Sequence, residues 1–345
     1  MGRLLFEIKE QPLVVERLLA QERKRVVEVS RQIIRKRISH IYIAARGSSD
    51  NAAIYAKYVL GIRNHIPVGL AAPSIFTIYG SSVKLANTLV IGISQSGQSP
   101  DILSVIQDAR RQGCFTVAIT NHQDSPLANA ACEVLFCNAG PELSVAATKT
   151  YSAQLFMIAM LSASLLGDSV SFEKLERLPY FFSIVLENVE LIKKLAAELK
   201  RIDRCIVIGR GYNYCNAFEY ALKLKELTYI LAMPYSTSDF LHGPIAILRS
   251  NFPALLIAPS GRATDGICDF SEKIKSRRAM VVSFSDSEEI NKNSNFFIKM
   301  PTDIEEWLSP IVYSVPGQLF SYYLAKAKGI DPERPVGLEK ITMTI

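Results

Sequence analysis

The chain has no apolar run long enough to cross a bilayer: its longest, Leu155 to Leu166, is broken by serines and falls short of the roughly 20 residues a spanning helix needs. The apolar segment at the start, residues 4–6, is too short for a signal peptide. The six cysteines (Cys114, Cys132, Cys137, Cys205, Cys215, Cys268) show no CxxC spacing, which argues against a metal site, and a chain of 345 residues needs no disulfide framework. Cys205 sits in an apolar, strand-like run, a common place for a buried thiol. These absences predict a cytoplasmic, reduced protein with no metal and no membrane contact. No Gly-Lys-Ser/Thr loop of the Walker type is present, so P-loop phosphoryl transfer is excluded. The basic cluster from Arg23 to Arg37 has no stacking aromatics and is interleaved with Val and Ile at helical spacing. It reads as the wet face of an amphipathic helix and predicts no nucleic-acid partner.

What is there is a globular composition: 49% apolar residues, 21% charged and a net charge of +6. Helix-like and strand-like segments alternate. An amphipathic helix is predicted over 13–38, a strand from His40 to Ala45, and a helix from Asn51 to Leu60. A strand from Leu89 to Ile93 precedes a helix from Ile102 to Arg111. Strands from Phe115 to Thr120 and from Val134 to Cys137 lead to a long helix from Thr148 to Leu166. Such alternation predicts an α/β protein with a mainly parallel sheet covered on both faces. The pattern then returns. The strand and Arg-Gly turn at Ile41–Ala52 are echoed at Cys205–Ala217, and the glycine positions, 211 minus 47, give an offset of 164 residues. Two similar domains follow, unless these are two unrelated turns.

The stretch from Thr88 to Leu103 carries the clearest ligand signal. An apolar strand runs into Ser94-Gln95-Ser96-Gly97-Gln98-Ser99, and a helical pattern begins at Pro100. A loop beyond the carboxyl end of a parallel strand is where α/β proteins hold ligands. Three hydroxyls, a carboxamide and the free N–H groups of the following helix can surround an anion. No lysine or arginine lies in the loop, so the implied ligand is a phosphate held by neutral donors. The competing reading is a polar turn with Ser99 as N-cap and Pro100 at the first helical position.

Further on, Glu219, Lys223 and Glu226 are spaced i, i+4, i+7 on one face of a predicted helix. They fit a solvated ion-pair ladder. They also fit a buried set tuned for proton transfer, because Phe218, Tyr220, Leu222, Leu224 and Leu227 leave little polar face to solvate. His242, followed by Gly243 and Pro244, sits at a backbone bend, and an imidazole is a common acid–base group. The proline-rich tail from Gly329 ends in Ile341, Met343 and Ile345 alternating with threonines. It reads as a loose terminus or as a segment packed onto the body, which would give Lys340 a definite place.

With these residues assembled, the chain resembles the sugar isomerase (SIS) superfamily, and within it the isomerase half of glucosamine-6-phosphate synthase. The likeness is carried in order by Phe6–Pro12, Ser94–Gly97, Glu142–Lys149, Ala221–Glu226, His242–Pro244 and Leu338–Lys340. It implies two tandem SIS domains, each a flavodoxin-like three-layer sandwich. The division expected is a helical segment (1–35), a first domain with the phosphate site (36–167), a helical linker (168–199), a second domain (200–328) and a tail closing the active site (329–345). The resemblance also implies that Ser94, Gln95, Ser96 and Ser99 hold the phosphate of a hexose or hexosamine 6-phosphate. Gly47, Ser49, Val145 and Ala147 would line the sugar pocket. Glu226 would be the base between C1 and C2, supported by Lys223. His242 would assist ring opening, reaching across a homodimer interface, and Lys340 would form an imine with the ketose. No cofactor is required.

Two departures from that family bear on substrate. Position 147 is alanine rather than serine, and the residues before His242 are Ser-Asp-Phe-Leu rather than Gly-Glu-Leu-Lys. The chain opens where the synthase linker would end, with no glutaminase domain ahead of it, which implies the reverse reaction. The expected activity is a hexosamine-6-phosphate deaminase/isomerase turning glucosamine 6-phosphate and water into fructose 6-phosphate and ammonia. A fructosamine-6-phosphate deglycase, the isomerase component of an aminotransferase, and a non-catalytic sugar-phosphate regulator are the alternatives.

Overall fold

The computed structural model describes residues 2–340, and these form two compact units. The first comprises residues 10–143, 149–179 and 339–340; the second comprises residues 2–9, 144–148 and 180–338. Ile341, Met343 and Ile345, expected to pack as a terminal segment, lie outside the described residues.

The first unit is built on five parallel strands: β1 (His40–Ala44), β2 (Val68–Leu70), β3 (Thr88–Ser94), β4 (Phe115–Thr120) and β5 (Glu133–Phe136). Their order is β2-β1-β3-β4-β5, the flavodoxin-like arrangement. Every residue of β3 and β4 is buried, so these strands read as unbroken apolar runs rather than alternating ones. On one face Val90 and Ala118 pack with Ile102, Val105 and Ile106 of the helix Pro100–Arg111. The helix Lys149–Leu166 is buried almost throughout and packs against the helices Gln11–Arg35 and Ser48–Asn64. That burial explains why it is apolar all round.

The second unit repeats the plan. Its strands β6 (Arg204–Ile208), β7 (Leu231–Tyr235), β8 (Pro253–Ala258), β9 (Met280–Ser285) and β10 (Phe296–Lys299) are parallel. Read from β7 the order is β7-β6-β8-β9-β10, that of the first sheet. The echoed Arg-Gly turns match in backbone as well, with φ of 56° at Gly47 and 59° at Gly211. This left-handed region is where glycine is least strained. Cys205 is buried in β6, and burial pushes its thiol up to about 12.

The helix Tyr214–Thr228 packs along Ser309–Ala327. Gly317 permits this, since a Cβ there would come within 2.1 Å of the Tyr220 ring. The helix that carries Glu219, Lys223 and Glu226 is therefore fixed by close contact through Tyr220. No helix among the described residues is long and apolar enough to cross a membrane.

Candidate phosphate loop and proton-transfer cluster

In the first unit, β3 delivers Ser94 to the carboxyl edge of the sheet, and the loop returns into the helix Pro100–Arg111. The loop is tied from several sides. Gln95 O accepts from Asn121 N (3.1 Å) and Thr120 Oγ1 (3.3 Å), while Gly97 O accepts from Leu127 N (3.0 Å). Ser94 Oγ accepts from Gly97 N at 3.1 Å and Ser96 Oγ from Gln98 N at 3.3 Å. Ser99 occupies the N-cap position, yet its side chain makes no cap bond. The two readings of the loop are thereby distinguished in part: the turn is an N-cap turn by position, and its hydroxyl is not consumed by the helix. A preorganised loop of this kind, with helix N–H groups beneath it, is suited to an anion.

Gly97 is the hinge of that loop. Its φ is +64°, and a Cβ would fall 2.2 Å from Ser125 Oγ, which is itself held by capping Ala128 N at 3.2 Å. We expect Gly97→Ala to cost about 1–3 kcal/mol of stability and to weaken hexose 6-phosphate binding about tenfold or more. Thermal melting and titration calorimetry check this, and unchanged affinity would dissociate the loop from phosphate.

Sequence reasoning missed two residues near this region. Arg46 Nε donates to the buried Asp101 Oδ2 at 2.6 Å, placing a guanidinium at the first turn of the loop helix. The signal was present in the Arg46-Gly47 turn, which was read only as a repeat. Gln154, fully enclosed in the helix Lys149–Leu166, donates through Nε2 to Ser49 Oγ at 3.0 Å, and its Oε1 has no partner among the described residues. Ser49 is itself buried in the first turn of Ser48–Asn64, behind Gly47. Burial pushes the neighbouring Asp50 carboxyl up, with Arg46 opposing. Val145 and Ala147 lie in 144–148, a segment that belongs to the second unit. Glu7 accepts from Ser144 N (3.3 Å) and Gln318 donates to Thr148 O (3.3 Å) to hold it.

In the second unit, Glu219 and Lys223 are buried, with side chains 1% and 1% exposed, and Lys223 Nζ lies 3.5 Å from Glu219 Oε1. The same Nζ lies 2.5 Å from Glu226 Oε2, whose side chain is 22% exposed. The solvated-ladder reading is corrected: the lysine is enclosed, and only Glu226 opens outward. Glu219 and Lys223 are thus kept from water on this face.

His242 is exposed and follows the helix Thr237–Leu241, with Gly243 at φ 132°. It lies beyond the carboxyl end of β7, whereas Glu226 is in the last turn of Tyr214–Thr228, just before β7 begins. In sequence the five residues of β7 and the helix Thr237–Leu241 lie between them. Lys340 has a definite place in the first unit, with Nζ 3.4 Å from Glu142 Oε2.

Among the described residues, Cys268, Glu272 and Glu289 form a group of metal-ligand types within 4.8 Å. Burial, with the carboxylates of Glu289, Glu272 and Asp269, pushes the Cys268 thiol up to about 11. A cavity of about 1020 Å³ in the second unit is lined by Arg204, Leu231, Pro253 and Met280, the first residues of β6 to β9. It opens at the amino edge of the sheet, away from the usual ligand crevice.

Two parallel sheets of one strand order, the first with a hydroxyl-rich loop at its carboxyl edge, define a duplicated, doubly wound α/β protein. The chain belongs to the SIS domain family, which matches residues 33–164 and 198–327. It is similar to the glutamine–fructose-6-phosphate aminotransferase of Thermococcus kodakarensis, with 36% identity over 98% of this chain and 57% of that one. The aminotransferase of Methanothermobacter thermautotrophicus is 37% identical over 98% of this chain and 56% of its own length. The chain thus spans a little over half of these relatives. Among solved structures, the C-terminal domain of the aminotransferase from Francisella tularensis superposes with a TM-score of 0.86 at 26% identity, covering 97% of this chain and 98% of that one. A glucosamine-6-phosphate deaminase from Thermotoga maritima shares the fold, with a TM-score of 0.80 at 22% identity over 99% of this chain and 100% of that one.

Proposed function

We propose that the chain is a sugar-phosphate enzyme of the aldose–ketose type, acting as a hexosamine-6-phosphate deaminase/isomerase. The observation that carries this reading is the enclosed Glu219–Lys223–Glu226 set, in which a single carboxylate opens outward. A regulator that only senses a sugar phosphate needs the loop and has no use for a buried proton-transfer cluster.

In this reading Ser94, Gln95, Ser96 and Ser99 hold the 6-phosphate, and Gly47, Ser49, Val145 and Ala147 shape the sugar pocket. Glu226 takes the proton from C2 of the open-chain aldehyde and returns it to C1, which leaves an imine at C2. Lys223 fixes that carboxylate. The Lys340 amine displaces ammonia from the C2 imine, and water then releases fructose 6-phosphate and the free lysine. His242, exposed after the helix Thr237–Leu241, would assist ring opening in the neighbouring subunit of a homodimer. The setting would be cytoplasmic.

The test is ammonia release from purified protein given glucosamine 6-phosphate, with fructose 6-phosphate followed in parallel. We expect both products in one-to-one ratio. Turnover of fructosamine 6-phosphate alone would replace the deaminase by a deglycase. Binding without turnover of any amino sugar would leave a regulator. An aminotransferase component would instead consume fructose 6-phosphate when ammonia is supplied.

A further inference from the structure

Glu142 is the one residue of the 142–149 stretch whose carboxylate the proposed mechanism leaves idle, and its side chain is fully enclosed (0% exposed). A carboxylate removed from water is costly unless its lone pairs are filled. Here Oε1 accepts from Thr150 N at 3.2 Å and Oε2 from Thr150 Oγ1 at 2.5 Å. Both donors sit in the first turn of the helix Lys149–Leu166, whose dipole favours a negative charge at that end. The carboxylate plane is therefore fixed by a rigid element before any lysine arrives. Its Oε2 then meets Lys340 Nζ at 3.4 Å, and the Lys340 side chain remains 27% exposed. Lys149, the adjacent cation, is engaged elsewhere, with Nζ 2.7 Å from Glu10 Oε2. The clamp is thus between one particular carboxylate and one particular lysine, on a side chain still open to a reactant.

We propose that Glu142 is the positioning residue for Lys340, holding its ammonium at a fixed point and exchanging a proton with it during imine formation. This rests on the reading of Lys340 as the imine lysine. In the exchange, read from the fructose 6-phosphate side as the reverse of the hydrolysis step, Glu142 takes one proton from the ammonium and the freed amine adds to the C2 carbonyl. The carbinolamine hydroxyl then leaves as water with the proton returned by Glu142. One C–N bond forms and one C–O bond breaks. The iminium left on Lys340 keeps the positive charge beside the carboxylate. Because the helix end fixes Glu142, Lys340 need not search for its geometry at each turnover.

Two readouts on the whole chain separate this proposal from the reading it rests on. The first uses no sugar: the rate at which acetic anhydride labels Lys340, followed by peptide mass against other lysines. We expect Glu142→Gln to raise that rate about fivefold or more, because the ammonium loses its clamp; an unchanged rate would overturn the proposal. The second is borohydride trapping of fructose 6-phosphate on Lys340. We expect the wild-type adduct to form and Glu142→Gln to lower its rate at least tenfold, with Glu142→Asp restoring part of it. Equal trapping in Glu142→Gln and wild type would also overturn the proposal. If wild type forms no adduct while the labelling still differs, the clamp stands and the imine role of Lys340 falls. Thr150→Val, which loosens the same helix end without touching the lysine, separates the charge contact from a packing defect. A trapping loss in Thr150→Val as large as in Glu142→Gln, at unchanged labelling, would mean that helix-end packing alone carries the effect and would overturn the proposal.

Discussion

Glu226→Gln should lower turnover of glucosamine 6-phosphate by about 10²–10⁴-fold, the usual contribution of a positioned acid–base group, while sugar-phosphate affinity stays within a few-fold. The two halves of this expectation have separate physical sources. Glutamine keeps a carbonyl oxygen that can accept from Lys223 Nζ, now 2.5 Å from Glu226 Oε2, and Lys223 retains Glu219. The helix therefore keeps its internal bonding and the phosphate loop is untouched. What is lost is the capacity to take up and return a proton. Exchange of the C1 proton of fructose 6-phosphate with deuterated solvent reads that step directly, without reference to ammonia. Exchange at a near-normal rate would remove Glu226 from the base role even if overall turnover fell. Loss of exchange with intact binding would place the defect in proton transfer, where a merely structural change would also have weakened binding.

The sequence carried some of this plainly and some not at all. The β3 loop was legible because a fully buried strand is an apolar run that stops at a recognisable set of hydroxyls. The duplication was legible because a left-handed glycine at 47 and at 211 leaves the same Arg-Gly mark. Strand β2 was not legible: it is three residues long, with a glycine in the middle, and offers no alternation to read. The burial of Lys223 was undecided for a different reason. Spacing places three charges on one face, but whether that face meets water depends on the helix Ser309–Ala327, roughly ninety positions later in the chain. Arg46 and Gln154 escaped because each acts through a partner distant in sequence, Asp101 and Ser49. Glu142 was quoted as part of a motif, and nothing in the motif says that Lys340 meets it. Non-local pairing is what pattern cannot supply, and the candidate chemistry rests on just those pairs.

Lys223→Met should be the most destabilising single change at the site, by about 3–5 kcal/mol. Glu219 is 0% exposed, and in the variant its carboxylate would face a thioether in place of an ammonium. Removing one partner of an enclosed pair leaves a charge that neither water nor salt can reach, so the loss exceeds what the pair itself contributes. Scanning calorimetry should register a fall of roughly 6–20 °C, at about 2–4 °C per kcal/mol for a unit of this size. High salt should not recover it, because screening acts on solvated charges. The companion variant, Glu219→Gln with Lys223→Met, removes both buried charges together and should regain most of the lost stability. It should nonetheless stay inactive, since Glu226 would have lost the ammonium that fixes it. A fall of less than 1 °C for Lys223→Met alone would mean that water reaches this face, returning the three residues to a solvated ladder and taking the proton-transfer cluster with it.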